Sequence, residues 1–267
     1  MMLTCQNLLD QLQSSSDDDE ERQLSRALWT LSAWRSSLIQ DALLQHWPPV
    51  VMQGPLKGLM IPPQFSLGSY NAKLLGCYEQ PLLPFIEQAI LANYGILLNI
   101  GCAEGYYAVG MARRMPDTRV LAFDIDSKAR EMCAAMAEAN NVSERVQIGS
   151  LFKPEQFASY QGQRVLVICD IEGAEVDLLN PESAPALIGM DVIVESHECY
   201  NPDITLILVD RFKATHDIAL VQDDGQRQLH AASEWFGNLA HIDQLLAVWE
   251  PIGGPTPWLV MKARQFS

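Results

Sequence analysis

Four side chains able to move protons fall just beyond two short apolar runs. Asp170 and Glu172 follow Val165–Cys169, and Glu195 and His197 follow Val192–Val194. Carboxylates and imidazole in such places can take a proton from an acceptor hydroxyl or steady an amine. The same four could ligate Mg²⁺ or Mn²⁺, but no acid-rich spacing forces a metal site, and the sequence by itself assigns none. Each also has a plainer reading. Glu172 could cap the helix that follows, where an acid suits the helix dipole, and Glu195 and His197 could simply stitch a strand to its loop.

A second group has the character of a binding loop. Asn99-Ile-Gly101-Cys-Ala103-Glu104-Gly105 lies between the apolar run Ile96–Ile100 and a helical stretch. Small residues there let the backbone turn tightly and approach a ligand. Asp124 closes the next apolar run, a place where an acid can accept both hydroxyls of a ribose. Together they imply a ligand with an adenosine-like portion. The small residues at 101, 103 and 105, with Tyr106 next, fit a G-x-G-x-G spacing with Ala103 in the middle better than the dinucleotide pattern G-x-G-x-x-G.

These groups need a scaffold that delivers strand ends to one edge, and the texture after Pro84 supplies it. Strands are expected at Ile96–Ile100, Val120–Phe123, Val146–Ile148, Val165–Cys169, Val192–Val194, Ile218–Val221 and Trp258–Lys262. Helices are expected at Glu104–Met115, Lys128–Asn140, Glu175–Leu179, Ile204–Phe212 and Ala231–Trp249. Continuous apolar strands alternating with helices predict a doubly wound, mostly parallel α/β sheet covered on both faces. Ligands of such sheets bind beyond the carboxyl ends of the strands. Upstream, the acidic serine run Ser14–Glu21 reads as a solvated turn and helix start, and Glu20–Trp47 repeats apolar residues at helical spacing. A Pro/Gly stretch through Gly68 then marks a boundary. The expected division is residues 1–75 as an N-terminal helical extension with its Pro/Gly connection, and 76–267 as the cofactor-binding domain.

Of the 267 residues 48% are hydrophobic, enough for a full core, and the formal charge is −15. That balance argues against a nucleic-acid partner, whose phosphates need Lys and Arg, and against an anionic membrane surface. Six scattered cysteines without a C-x-x-C pair suggest neither a disulfide framework nor a structural zinc. With neither a secretory signal nor a bilayer-length apolar run, the chain reads as cytoplasmic.

The blocks Leu97–Tyr107, Leu121-Ala-Phe-Asp-Ile-Asp126 and Cys169-Asp-Ile-Glu-Gly-Ala-Glu-Val-Asp-Leu-Leu179 resemble class I S-adenosylmethionine-dependent methyltransferases. Asp170-Ile-Glu172-Gly173-Ala-Glu175 followed by Val192-Ile-Val-Glu195 is similar to the FkbM-type branch, which contains O-methyltransferases. The resemblance covers roughly residues 78–221. It implies a Rossmann-like fold, S-adenosylmethionine as cofactor, and O-methylation of a small-molecule or biosynthetic intermediate. Gly101, Ala103, Glu104 and Gly105 would lie under the methionine and ribose. Asp124 would hold the ribose hydroxyls, Ile125 would pack on the adenine, and Gly149 and Ser150 would face its edge. Asp170 would stand beside the methionine amino group and the transferred methyl. Two positions depart from the pattern: Asn99 replaces a frequent acid near the ammonium, and Ser150 stands where an Asp often reads the adenine.

Competing readings are a cofactor-binding but inactive scaffold module and a nicotinamide-dependent oxidoreductase, the latter handicapped by Tyr106. Tyr70, Lys73, Tyr78 and Glu79 could line a substrate mouth or anchor the Pro/Gly connection. Trp29, Trp34 and Trp47 suit core or interface, so a homodimer through the N-terminal helices is a further expectation. Met132 and Met136 read as helix packing, and His216, His230 and His241 show no paired ligand spacing.

Overall fold

The computed structural model describes residues 20–65, 69–251 and 253–264. Ser14–Asp19, most of the acidic serine run, lies outside the described residues, as do Cys5 and Gly68. Seven strands form one sheet: β1 Ile96–Ile100, β2 Arg119–Phe123, β3 Val146–Gly149, β4 Val165–Cys169, β5 Asp191–Glu195, β6 His216–Val221 and β7 Trp258–Ala263. Their order is β3-β2-β1-β4-β5-β7-β6. The first five are parallel, and β7 runs antiparallel between β5 and β6. This is the Rossmann-like, class I methyltransferase type of sheet that the strand pattern predicts. The order reverses at β1 and β4, so the crevice for a ligand opens at their carboxyl ends.

Alternation along the strands divides the core. Ile96, Leu98 and Ile100 of β1 join Val165, Val167 and Cys169 of β4 in one apolar layer. Leu97, Leu166, Ile168 and Ile193 face the other. Burial on both faces explains why β1 and β4 are apolar end to end rather than alternating with polar residues. On the second face lie α3 Leu83–Leu91, α4 Tyr106–Arg114 and α5 Ser127–Ala139, and on the first lie α6 Glu175–Leu178 and α7 Ile204–Phe212.

The N-terminal helix α1, Glu20–His46, is present, and α2 covers Tyr70–Leu75. Ile39 and Leu43 of α1, with Val51, Leu56 and Ile61 of the Pro/Gly connection, belong to the same apolar cluster as Leu97 and Ile168. Arg35 grips Asp243 through two 2.7 Å bonds. Trp47 meets Trp235 edge-on and joins the core, whereas Trp29 stays largely exposed against Trp249.

Two expectations are corrected. The helical stretch Ala231–Trp249 is broken into α8 Ser233–Gly237 and α9 His241–Ala247, because Ala240 takes an extended backbone (ψ 148°) between them. The helix expected from Glu104 starts at Tyr106 instead, since Gly105 precedes it in the left-handed region at φ 95°. Other expected elements agree to within about two residues at each end.

Because Leu43 is fully buried in the shared core, Leu43→Ala should cost about 2–5 kcal/mol. Chemical denaturation should still show a single transition. Appearance of an early, separate phase would instead mean that α1 unfolds alone.

Candidate active site

At the carboxyl edge the β1 and β4 turns touch. A Cβ on Gly101 would fall 1.5 Å from the Asp170 carbonyl oxygen, and Gly101 holds φ +79°. The tight spot at Gly101 is therefore an approach to the protein's own backbone. Two cavities flank this ridge and share Asp170 and Glu172. One, of about 460 Å³, is walled largely by apolar side chains, among them Phe123, Ile125, Leu151, Phe152 and Ile171, with Gly101, Asp124 and Ser150. The other, of about 610 Å³, has a strongly acidic wall.

Asp124 bridges from β2 to the glycine-rich turn. Its Oδ2 accepts from the Ala103 N–H and its Oδ1 from Asp126 N–H, both at 2.9 Å. Each carboxylate oxygen can accept about two bonds, so one further donor can be taken at each oxygen on the cavity side. Gly149 lies beneath the Phe123 ring rather than in a cavity wall, and Gly105 packs on Cys133. Asn99 is buried within β1 outside both walls, and its Oδ1 has no partner among the described residues. Tyr106 is buried and stacks edge-on between Tyr78 and Tyr107, which fills the position where a dinucleotide loop needs its third small residue.

The acidic cavity gathers Asp170, Glu172, Glu195 and His197, all four of the proton-moving residues expected from the strand ends. His197 Nε2 stands 3.6 Å from Asp170 Oδ1, 3.4 Å from Glu172 Oε2 and 3.6 Å from Glu195 Oε2. Its Nδ1 lies 2.7 Å from Glu175 Oε1. The same oxygen accepts from Ile171 and Gly173 N–H at 3.2 Å. Thus Glu175, which sequence reasoning left without a role, folds back on the turn. Glu172, suggested as the cap, points outward from a left-handed backbone at φ 54°. The only signal for Glu175 was its place five residues after Asp170.

Burial raises the pKa of Asp170 and of Glu195, and the charge of Asp170 raises Glu195 further. The pair, hydrogen-bonded to each other, therefore holds a proton more readily than ordinary carboxylates. For His197 burial disfavours the charged form, but the Glu175 hydrogen bond and the surrounding acids outweigh it and raise the pKa. Burial works on Glu175 too, yet the His197 and backbone hydrogen bonds leave it lowered. Their contact favours the charged form of each.

The remaining wall comes from the segment before β1. Lys73 is buried against Glu104, its ammonium 4.9 Å above the Tyr78 ring. Glu104 Oε2 is left without a donor among the described residues. Glu79 accepts from Tyr107, and Glu250, held by Arg227, accepts from Glu79 N–H. Of the four residues weighed as a mouth, Lys73, Tyr78 and Glu79 line the cavity, while Tyr70 donates to the Ile61 carbonyl of the connection. Glu250 and Arg227 had no signal in the sequence.

Burial pushes Glu79 up to about 8, against the opposing hydrogen bonds of Tyr107 and Tyr78. At low pH both folded and unfolded chains carry this proton. Between the usual Glu range and about 8 the unfolded chain releases it while the folded chain keeps it, so stability falls as pH rises. Glu79→Gln keeps an acceptor for Tyr107 and removes that loss. The variant should melt a few degrees above the wild type near pH 8, at roughly 2–4 °C per kcal/mol, with the gap closing toward about pH 5. Parallel melting curves across this window would show that Glu79 is already ionised in the fold.

No family model matches the chain. The ribosomal RNA small subunit methyltransferase C of Pseudomonas fluorescens is 27% identical over 124 residues, 46% of this chain and 35% of that protein. The chain thus spans about a third of that relative's length. Among solved structures, a Klebsiella pneumoniae protein that carries an O-methyltransferase name is 14% identical, covering 85% of this chain and 97% of its own, at a TM-score of 0.49. The O-methyltransferase TomG of Streptomyces achromogenes, in complex with SAM, is 14% identical over 75% of this chain and 83% of its own, at 0.43. The Bacillus cereus O-methyltransferase, in complex with SAH, is 12% identical over 76% and 84%, at 0.44. These superpositions are loose, and the fold rests on the strand order itself.

Proposed function

We propose that the chain is a methyltransferase that uses S-adenosylmethionine (SAM) and methylates a hydroxyl of a small molecule. The observation that carries this reading is the pair of cavities meeting at Asp170. An apolar chamber with Asp124 in its wall joins an acidic chamber across one backbone ridge. The residues fit the cofactor. Phe123, Ile125, Phe152 and Ser150 line the apolar chamber, where an adenine would pack. Asp124 offers one free acceptor position on each oxygen, one per ribose hydroxyl. The donorless Glu104 Oε2 is a buried acceptor in the wall where an ammonium would lie.

When bound, the cofactor supplies an already activated methyl group, so the protein's task is alignment. Asp170 stands where the two chambers join, and its neighbours Glu195 and His197 lie on the acceptor side. Burial raises the Asp170 carboxyl to about 6, which suits it to take the proton of an acceptor hydroxyl, while Glu195 holds its own proton. The FkbM-type resemblance of the blocks around Asp170 and Val192 favours oxygen as the acceptor atom. The ribosomal RNA substrate of the Pseudomonas relative is not carried over. Seven carboxylates line the acceptor chamber against one lysine, already paired with Glu104, and such a surface repels phosphates.

Calorimetry with S-adenosylhomocysteine (SAH) tests the reading without knowledge of the acceptor. The wild type should bind saturably, and Asp124→Ala should bind at least tenfold more weakly, because a hydrogen bond to a charged group contributes about 1.5–3 kcal/mol. Absence of binding at millimolar SAH by cooperatively melting protein would overturn the proposal.

A further inference from the structure

Lys73 lies on α2, before the sheet begins, yet its ammonium ends inside the carboxyl edge. The residue is 5% exposed and pairs with Oε1 of Glu104, which is itself 1% exposed. The same ammonium stands 4.9 Å from the centre of the Tyr78 ring and 5.6 Å from that of Tyr106. An ion pair so far from water recovers its desolvation only when both partners are well held. A carboxylate oxygen and two aromatic rings hold Lys73, but Glu104 is held on one side only. Glu104 lines the acidic cavity, and its buried Oε2 has no hydrogen-bond partner among the described residues. A charged acceptor left open in a cavity wall is costly until a ligand donor completes it.

We propose that Lys73 is a positioning residue for the cofactor, an inference that rests on the cofactor reading given above. It holds Glu104 by Oε1 so that Oε2 is presented to the methionine ammonium of S-adenosylmethionine. Glu104 needs such an anchor from outside its own turn. It sits between Ala103 at φ 47° and Gly105 at φ 95°, in a tight turn ahead of α4 rather than on a helix. Ala103 N–H is tied to Asp124 Oδ2 at 2.9 Å. Two adjacent residues of the turn are thus fixed by different parts of the chain, one by the acid at the end of β2 and one by Lys73.

Asn99, where the sequence pattern departs from an acid, is buried outside both cavities and carries no charge. Glu104 supplies the missing negative charge from five residues later in the same turn. Lys73 acts on the ligand only through it. A lone buried carboxylate turns toward water or takes up a proton, and either way stops offering a fixed negative oxygen. The segment before the sheet is then part of the cofactor site as well as of the acceptor chamber.

Calorimetry of the full chain with two ligands tests this role. SAH carries the amino-acid end, whereas 5′-methylthioadenosine keeps the adenosine and thioether without it. The wild type should bind SAH at least about tenfold more tightly than methylthioadenosine. Lys73→Met and Glu104→Gln should each weaken SAH about tenfold, as loss of a hydrogen bond to a charged group does, and leave methylthioadenosine within about twofold. The double variant, which buries no unpaired charge, should bind SAH no more weakly than Glu104→Gln alone. That comparison stands even where Lys73→Met by itself fails to melt cooperatively. Equal losses for both ligands would mark a merely structural role and overturn the proposal. Unchanged or tighter SAH binding by folded Lys73→Met would overturn it too, as would a further loss of about tenfold in the double variant. Wild type that binds both ligands equally overturns this inference alone, and wild type that binds neither overturns the cofactor reading with it.

Discussion

Everything at the carboxyl edge depends on the contact between the β1 and β4 turns. Gly101 can pack on the Asp170 carbonyl only because it has no Cβ and tolerates a positive φ. That contact makes the ridge which divides the crevice into an apolar and an acidic chamber. It also sets the direction of the Asp170 side chain, which lines both. A ligand with an apolar flat end and a cationic end is matched by two walls of opposite character, held in register by one glycine.

The acidic wall is costly for folding. Glu79, Glu104, Glu195 and Glu250 are removed from water, and burial raises the pKa of Glu79, Glu195 and Glu250. A chain selected for stability alone would have apolar residues or more compensating cations there. The few cations present are tied to particular acids: Lys73 to Glu104, and Arg227 to Glu250 and Asp223. The carboxylates left over cluster beside His197. Negative charge is thus concentrated where the two chambers join, the pattern that a site uses to hold positive charge or a proton in transit.

Much of this edge was legible in the sequence because a strand's end is a local property. Asp124, Asp170 and Glu195 each terminate an apolar run, and parallel packing carries all such ends to one side. The glycine-rich turn was legible for the same reason. What was not legible depends on distance along the chain. Glu175 is recognisable only when the β5 loop brings His197 over it, 22 residues later. Glu79 meets Glu250 across 171 residues, and no local pattern announces that pair. The split of the Ala231–Trp249 stretch was hidden because both halves keep helical spacing and the break is a single extended residue, Ala240.

The N-terminal segment carries the same lesson into function. Lys73 on α2 reaches Glu104 near the end of the glycine-rich turn, and Tyr78 closes over its ammonium. Ile39 and Leu43 of α1 meanwhile bury themselves in the cluster that contains β1. The helix and the Pro/Gly connection therefore do more than cover an exposed face. They bring a paired lysine and Tyr78 to the wall of the acidic chamber, and they hold them against the same core that fixes the strand ends. The shape of that chamber is set as much by this segment as by the sheet, whereas the apolar chamber is built from the sheet's own loops.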